Sequence, residues 1–427
     1  MSLSVLHLST VDGGGGAAIA TRRLHDGLRQ IGVDSAMSVL WRETADHHVR
    51  AVDPTRSYAD RIKRRLDTKH LAAGMKRYSA TMSPIYSPFS DDRVPGADPL
   101  RHVSLDADIV NLHWTSGLVD YRRFFARLPQ ETPLVWTLHD MNPMTGGCHC
   151  NLGCENFTLT CGNCPLLGSN DARDLSNQIL SRKMAALAGR NAANTRIVAP
   201  SEWMAEQARR SALLSRFPVD LIPHGLDFDL FRPRPKSIAR IALGLPEEGN
   251  ILLFAADDPT NYLKGFDLLA EALRQLDQTL PLTLVSIGRR PPSSEFGFAS
   301  VHLGYLGQPQ LLALAYSAAD VFVMPTRAEA FGQVVFESMA CGTPVVAFDV
   351  GGVPDMVRPG LTGLLAPAED AGALRQGLEI LLADPELRER MSIACRRIVE
   401  AEYGADLQAS RYRELYRHLT EDAERTR

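Results

Sequence analysis

The stretch from Val321 to Pro354 constrains this chain more than any other. Val321 to Met324 is an apolar run closed by Pro325, a helical pattern runs from Phe331 to Ala340 and stops at Gly342, and a second apolar run spans Pro344 to Phe348. Short apolar runs without alternation suit strands buried on both faces, and strand, helix, strand in that order predicts a parallel pair joined by a crossover helix. The first junction carries the chemistry. It sets the amides of Phe331, Gly332 and Gln333 at a helix start, where N–H groups and the positive end of the dipole receive an anion such as phosphate. Glu329 precedes that helix and Glu337 lies inside it. Alone, the two acids are equally a helix-start acid and a solvated helix residue.

Similar runs recur at Val5–Ser9, Ile109–Leu112, Leu134–Leu138, Ile197–Ala199 and Val219–Ile222, then at Ile251–Ala255, Leu282–Ile287 and Val301–Leu303. Helical patterns separate them, which predicts an α/β protein with parallel sheets. A length of 427 residues exceeds one core and divides into two domains. The proline-rich stretch ending at Lys236 loses periodicity and marks a linker. We therefore expect a Rossmann-like domain over 1–218, a linker over 219–236, a second such domain over 237–405 and a charged helix over 406–427. Ligands of open parallel sheets bind beyond the strand C-termini, so two facing domains would form a cleft. A net charge of −4 argues against a globally basic nucleic-acid binder. No apolar run reaches the roughly 18 residues of a membrane span, and the first residues read as a strand rather than a signal peptide, so a cytoplasmic location is expected.

The Glu-x7-Glu spacing, with Phe-Gly after the first acid, Met-Ala-Cys-Gly-Thr-Pro at the helix exit and Gly351-Gly352-Val-Pro beyond, resembles the nucleotide-sugar site of retaining glycosyltransferases of family 4. Their fold is GT-B, two Rossmann-like domains facing across a cleft. Ile-Pro-His-Gly-Leu-Asp at 222–227 resembles the family's inter-domain segment, with His224 in place of the usual asparagine. The resemblance covers nearly the whole chain, strongest over 197–365 and weakest over 42–105, and implies that the last helix crosses back onto the first domain. It further implies a nucleoside diphosphate sugar as donor, with Glu329 on the sugar hydroxyls, Glu337 on the ribose hydroxyls, and Phe331, Gly332 and Gln333 at the diphosphate. Lys264, in Tyr-Leu-Lys-Gly-Phe-Asp, matches the lysine that pairs with the phosphates. Gly304 and Tyr305 match the loop beside the base. His139, in Thr-Leu-His-Asp, matches the histidine that meets the donor sugar near the point of transfer. His113 and Asp140 are placed on the acceptor side, and Gly14 and Gly15, in the Gly13–Gly16 run, line the diphosphate and acceptor. The family sets an arginine shortly before its lysine; here Asp257 to Leu263 stand there instead, and Arg327 is the candidate second cation. Transfer is implied to need no metal. Asp227-Phe-Asp229 lies in the linker and reads as turn chemistry.

Five of the seven cysteines, Cys148, Cys150, Cys154, Cys161 and Cys164, fall within 17 residues. In a cytosolic chain such clustering points to metal or redox chemistry, and four thiolates can close a tetrahedral structural zinc site. A subset of family 4 polysaccharide enzymes has a similar insert directly after Leu-His-Asp, matching Cys148, Cys154, Cys161 and Cys164. The insert is expected over 146–166; reduced unpaired thiols or an intraloop disulfide are the alternatives. Cys341 and Cys395 read as small buried hydrophobes. Between Arg56 and Arg77 stand eight Lys or Arg against two Asp, with Leu66, Leu71 and Met75 among them. Such a helix is either a solvated face or a peripheral contact with the inner face of the plasma membrane. The reading is a retaining glycosyltransferase acting on a glycan or lipid-linked acceptor in polysaccharide, exopolysaccharide or O-antigen biosynthesis, without a catalytic cofactor. Its rivals are a non-catalytic partner protein of the same fold and a dinucleotide-dependent oxidoreductase, against which the incomplete glycine fingerprint counts.

Overall fold

The computed structural model describes residues 3–55, 57–83, 88–293 and 296–425. It divides into two compact units, Met1–Gly225 with Ala405–Arg427, and Leu226–Gly404.

The first unit is built on a seven-stranded parallel sheet of β1 (Ser4–Val11), β2 (Asp34–Trp41), β3 (Val49–Ala51), β4 (Ile109–Leu112), β5 (Leu134–Thr137), β6 (Thr195–Ala199) and β7 (Val219–Leu221), in the order β3-β2-β1-β4-β5-β6-β7. The chain winds outward one way from β1 and the other way from β4, so the crevice between their C-terminal ends is the unit's topological switch point. Helices α1 (Gly16–Gln30), α2 (Tyr58–Lys76), α3 (Tyr121–Arg127), α4 (Leu175–Leu187) and α5 (Glu202–Arg210) connect the strands. Sequence periodicity did not single out β2 and β3. The former opens with Asp-Ser-Ala-Met-Ser rather than an apolar run, and becomes a strand through its pairing with β1 from Ser4↔Asp34 to Val11↔Trp41. The segment expected to start the linker begins instead as β7, paired with β6.

The second unit repeats the plan with β8 (Asn250–Ala255), β9 (Leu282–Ile287), β10 (Ala299–His302), β11 (Val321–Met324), β12 (Val345–Phe348) and β13 (Gly363–Ala366), in the order β10-β9-β8-β11-β12-β13. Its switch point lies between β8 and β11. Its helices are α6 (Lys236–Ala242), α7 (Phe266–Arg274), α8 (Pro309–Ala318), α9 (Gln333–Ala340), α10 (Ala371–Ala383) and α11 (Pro385–Glu402). The predicted Val321–Phe348 crossover is β11-α9-β12, with one correction. The helix begins at Gln333, because Gly332 adopts φ +95, outside helical geometry, and takes the N-cap position.

The last helix, α12 (Ala405–Arg425), belongs to the first unit. It packs with α1 on one sheet face, where Val5, Ile109, Val135, Leu24, Ala409, Tyr412 and Tyr416 form a common core. The two tyrosine hydroxyls meet Thr137 at 2.9 Å and Asn111 at 2.7 Å, so their burial leaves no polar atom stranded. Helix α2 is different, with none of its side chains buried. Arg56, the first residue of the basic segment, lies outside the described residues. No described helix is long and apolar enough to cross a membrane.

Candidate functional site

In the second unit the loops leaving β8 and β11, the two strands of the switch point, carry the predicted donor residues. Asn261 caps the short turn Tyr262–Lys264 by accepting from Leu263 N at 3.0 Å, which ends in Gly265 at φ +64. A Cβ there would stand 1.8 Å from the Pro325 carbonyl oxygen, so only glycine lets the two loops touch. The contact brings Lys264 Nζ within 3.4 Å of Glu329 Oε2, both side chains partly exposed. Behind Glu329, Gly352 N donates to its carbonyl at 3.0 Å and Gly351 sits at φ +54. Glu337, one turn into α9, is buried and accepts from the Tyr316 hydroxyl at 3.2 Å, which removes the alternative of a solvated helix residue. Phe331 is also buried, packed on Phe336 and Tyr403, while Gln333 opens the helix. Gly304 stands at φ +72 with open space where a Cβ would be, and Tyr305 is 55% exposed, a platform rather than a packed core residue.

Arg327 does not fit its predicted role as the second phosphate cation. Its guanidinium forks onto Asp267 at 2.8 and 2.6 Å, donates to the Tyr262 carbonyl at 2.7 Å and lies 3.9 Å over the Tyr262 ring. Its side chain is 5% exposed, and the pair holds the Asp267 carboxyl below its usual range, chiefly through the hydrogen bond to Arg327. Arg327 is thus the staple that fixes the Glu329 loop to the Lys264 loop. Two further arginines, overlooked in the sequence, lie at the end of β9. Arg289 and Arg290 leave β9 directly after Gly288, reach Asp257 at 3.3 Å and Asp258 at 3.0 Å, and stay largely exposed, with Arg289 4.9 Å from the Tyr305 ring centroid. Consecutive arginines at a strand's C-terminal end were the available signal.

In the first unit the Gly13–Gly16 run joins β1 to α1 at the switch point. Gly14 stands at φ +76, Gly15 is the N-cap, and a Cβ on Gly13 or Gly14 would press on the Glu43 carboxylate at 2.8 or 2.9 Å. His113 and His139 follow β4 and β5 and touch, Nδ1 of His113 to Nε2 of His139 at 3.1 Å. Burial lowers the pKa of both, that of His139 to about 4, so neither is charged at neutral pH. His224 stacks on His139 with ring centroids 5.3 Å apart. Asp140, assigned to the acceptor side, is tied into the surrounding fold. Its carboxylate accepts from Trp114 Nε1 at 2.7 Å and Asn142 N at 2.8 Å, and bonds His149 Nδ1 at 2.6 Å. Burial alone would raise its pKa, and those bonds outweigh it. It is a clamp between strand ends and the cysteine insert.

That insert is anchored rather than loose. Lys183 of α4, fully buried, donates to the carbonyls of Asn142 at 2.5 Å and Thr145 at 3.0 Å. Cys148 and Cys164 pack with Tyr78, Leu167, Leu175 and Ile179. No cysteine is disulfide-bonded among the described residues. The thiols of Cys148, Cys154, Cys161 and Cys164 are electrostatic neighbours, and backbone amides of Leu166 and Leu167 donate to the Cys164 sulfur. Burial pushes the Cys148 thiol up to about 12 and Cys161 to about 11. The donor set suits a soft cation. The sulfurs as placed are not closed on one point: the described three-ligand groups within 4.8 Å are His25, Asp26 and Asp46, and Asp46, His47 and His48. In those groups Arg22 already pairs with Asp26 and Asp46 at 2.9 Å, and supplies the cation.

Known proteins resemble this chain in sequence and in fold. Residues 236–397 fit the family described as glycosyl transferases group 1. Over 346 residues the chain is 30% identical to a D-inositol 3-phosphate glycosyltransferase of Thermobispora bispora, covering 75% of this chain and 72% of that relative. Sucrose-phosphate synthase from Thermosynechococcus elongatus superposes with a TM-score of 0.67 at 23% identity, over 98% of this chain and 99% of its own. Anabaena HepE in complex with UDP-glucose superposes with a TM-score of 0.65 at 16% identity, over 97% and 99%. Two parallel-sheet α/β units with these neighbours define a GT-B glycosyltransferase fold. The chain belongs to the group 1 glycosyl transferases, and it is an enzyme of that class.

Proposed function

We propose that this enzyme moves a sugar from a nucleoside diphosphate sugar, with retention, to a glycan or lipid-linked acceptor in polysaccharide assembly. The observation that carries this reading is the meeting of Lys264 and Glu329 at 3.4 Å on the two switch-point loops, beside the helix that holds the buried Glu337. The sugar nucleotide in the Anabaena neighbour and the glycosyltransferase name of the curated relative support it; inositol phosphate, named in that relative, is the competing acceptor class. In the reaction the bond from the anomeric carbon to the diphosphate oxygen breaks, the acceptor oxygen bonds that carbon on the same face, and the acceptor proton passes to the departing phosphate. Lys264 stabilises the developing phosphate charge, Arg289 or Arg290 adds the second cation, Glu329 holds the sugar, Glu337 the ribose and His139 the sugar near its reacting carbon. With that positive charge supplied by side chains, the scheme includes no metal step.

A thermal-shift panel of UDP-, GDP-, ADP- and dTDP-sugars beside NAD(H), followed by turnover with Glu329→Gln, tests this reading. One selective sugar nucleotide and loss of turnover in the variant are expected; stabilisation by NAD(H) alone would overturn it. The insert is proposed to bind one structural zinc through Cys148, Cys154, Cys161 and Cys164, drawing the two cysteine groups together; metal analysis of purified chain against Cys161→Ser with Cys164→Ser checks this, and a metal-free wild type refutes it. Tyr58, Ile62 and Leu66, exposed at four-residue spacing on α2 among its basic residues, are proposed to touch an anionic membrane surface. Cosedimentation with anionic but not zwitterionic vesicles is the expected result.

A further inference from the structure

His7, His113 and His139 form a staircase across three adjacent parallel strands. The register pairs His7 with Asn111, and Asn111 with Val135, so His113 lies two residues beyond the level of His7 and His139 two residues beyond that. Steps of two keep all three on one sheet face, each about 7 Å nearer the C-terminal rim than the last. The rings meet edge to edge, His7 Nδ1 to His113 Nε2 at 2.8 Å and His113 Nδ1 to His139 Nε2 at 3.1 Å. His7 and His113 are 0% and 1% exposed.

Three neutral imidazoles carry three ring protons, and two of these lie in the two bonds. The third sits at one end, on His7 Nε2 or on His139 Nδ1. His7 Nε2 is buried and has no hydrogen-bond partner. Its ring stands edge-on to His25 at 6.1 Å, whose own Nε2 is in the same condition while its Nδ1 bonds Ser35 at 2.7 Å. A buried N–H without an acceptor is the rarer and costlier of the two orphans, which places the third proton at His139, the partly exposed end. The Thr21 hydroxyl, spent on the Ala17 carbonyl at 2.8 Å, lies 3.5 Å from His139 Nε2, too far to compete with His113.

We propose that His7 and His113 are positioning residues that hold His139 neutral with its proton on Nδ1, so that it presents an N–H donor to a neutral hydroxyl oxygen. The hydroxyl is that of the bound sugar, a clause that rests on the function proposed above. Burial lowers all three pKa values, in keeping with a ladder that stays uncharged.

Side-chain 15N NMR of the full chain tests the ladder independently of turnover. The expected wild-type spectrum has His139 protonated on Nδ1 and bare on Nε2. His7→Phe removes the first donor and should give a mixed His139 tautomer with about tenfold lower kcat/KM, while His7→Asn, which retains an N–H at that position, should restore both. A wild-type His139 protonated on Nε2, or an unmixed tautomer in folded His7→Phe, overturns the proposal; if the Phe variant fails to fold, the wild-type spectrum and His7→Asn still decide. A correct tautomer whose Nδ1 signal ignores donor and acceptor during turnover would instead refute the placement of His139 at the sugar, leaving the ladder intact.

Discussion

Gly351→Ala isolates what the Glu329 loop contributes. Gly351 stands at φ +54, and a Cβ built there would lie 1.8 Å from the Glu329 carbonyl oxygen, a separation that real Cβ atoms essentially never show. Two costs follow. An alanine in the left-handed region costs about 1 kcal/mol wherever it occurs. The clash is additional, and relief requires the Glu329 backbone to retreat by more than ~1 Å, a displacement that can reduce a positioned catalytic group about 100-fold. Gly360 is the control, because it has φ +77 and nothing within 4 Å of its would-be Cβ. Gly360→Ala should lose the same ~1 kcal/mol in urea unfolding and keep its kcat, while Gly351→Ala loses both stability and about 100-fold in kcat/KM. Wild-type turnover in a folded Gly351→Ala would refute the idea that this loop places a catalytic carboxylate.

Arg327→Lys keeps the charge but loses the fork onto Asp267 and the ring stacking, so it should cost about 1–2 kcal/mol in denaturant unfolding; no change would return Arg327 to the list of phosphate ligands. His25 is fully buried and its pKa is lowered to about 4, first by burial and then by Arg22. Between the ordinary 6.5 and that value the unfolded chain holds the extra proton, so stability falls as pH falls, by about 2 kcal/mol from pH 7 to 5 for this residue alone. His25→Asn should flatten that slope. Lys183→Met strands the carbonyls of Asn142 and Thr145 and should cost about 2–4 kcal/mol by denaturant unfolding, with the cysteine insert becoming protease-sensitive.

Of the strands that periodicity found, β11 and β12 are continuous apolar runs that would fold as strands in many settings. Those it overlooked depend on their neighbours. Gly363-Leu-Leu-Ala reads as helix former, yet a Cβ on Gly363 would meet the Val345 carbonyl at 2.0 Å, so β13 exists because β12 demands a close backbone. The site divides in the same way. The placement of Lys264 beside Glu329, with Glu337 in the following helix, could be anticipated because it is carried by local glycine and helix geometry. The role of Arg327 was not, since its partner Asp267 is 60 residues away, and one-dimensional spacing cannot show that a fork is already filled. His7 gave no signal within an ordinary apolar strand; its meaning depends on a register across three strands.

His139 and Asp140, adjacent at the end of β5, face two different dependencies. His139 takes its hydrogen bond from the strand side, through His113 and His7, while Asp140 binds His149 of the insert and Trp114 beyond β4. Trp114 follows His113 directly, so the dipeptide after β4 is tied twice to the dipeptide after β5, once through each pair. A rotation of the β5 end that improved one contact would therefore strain the other. The insert therefore reaches the β5 end through Asp140 and His149, and the more rigid its anchoring by Lys183, the narrower the range of orientations left to that strand end and to the His139 imidazole.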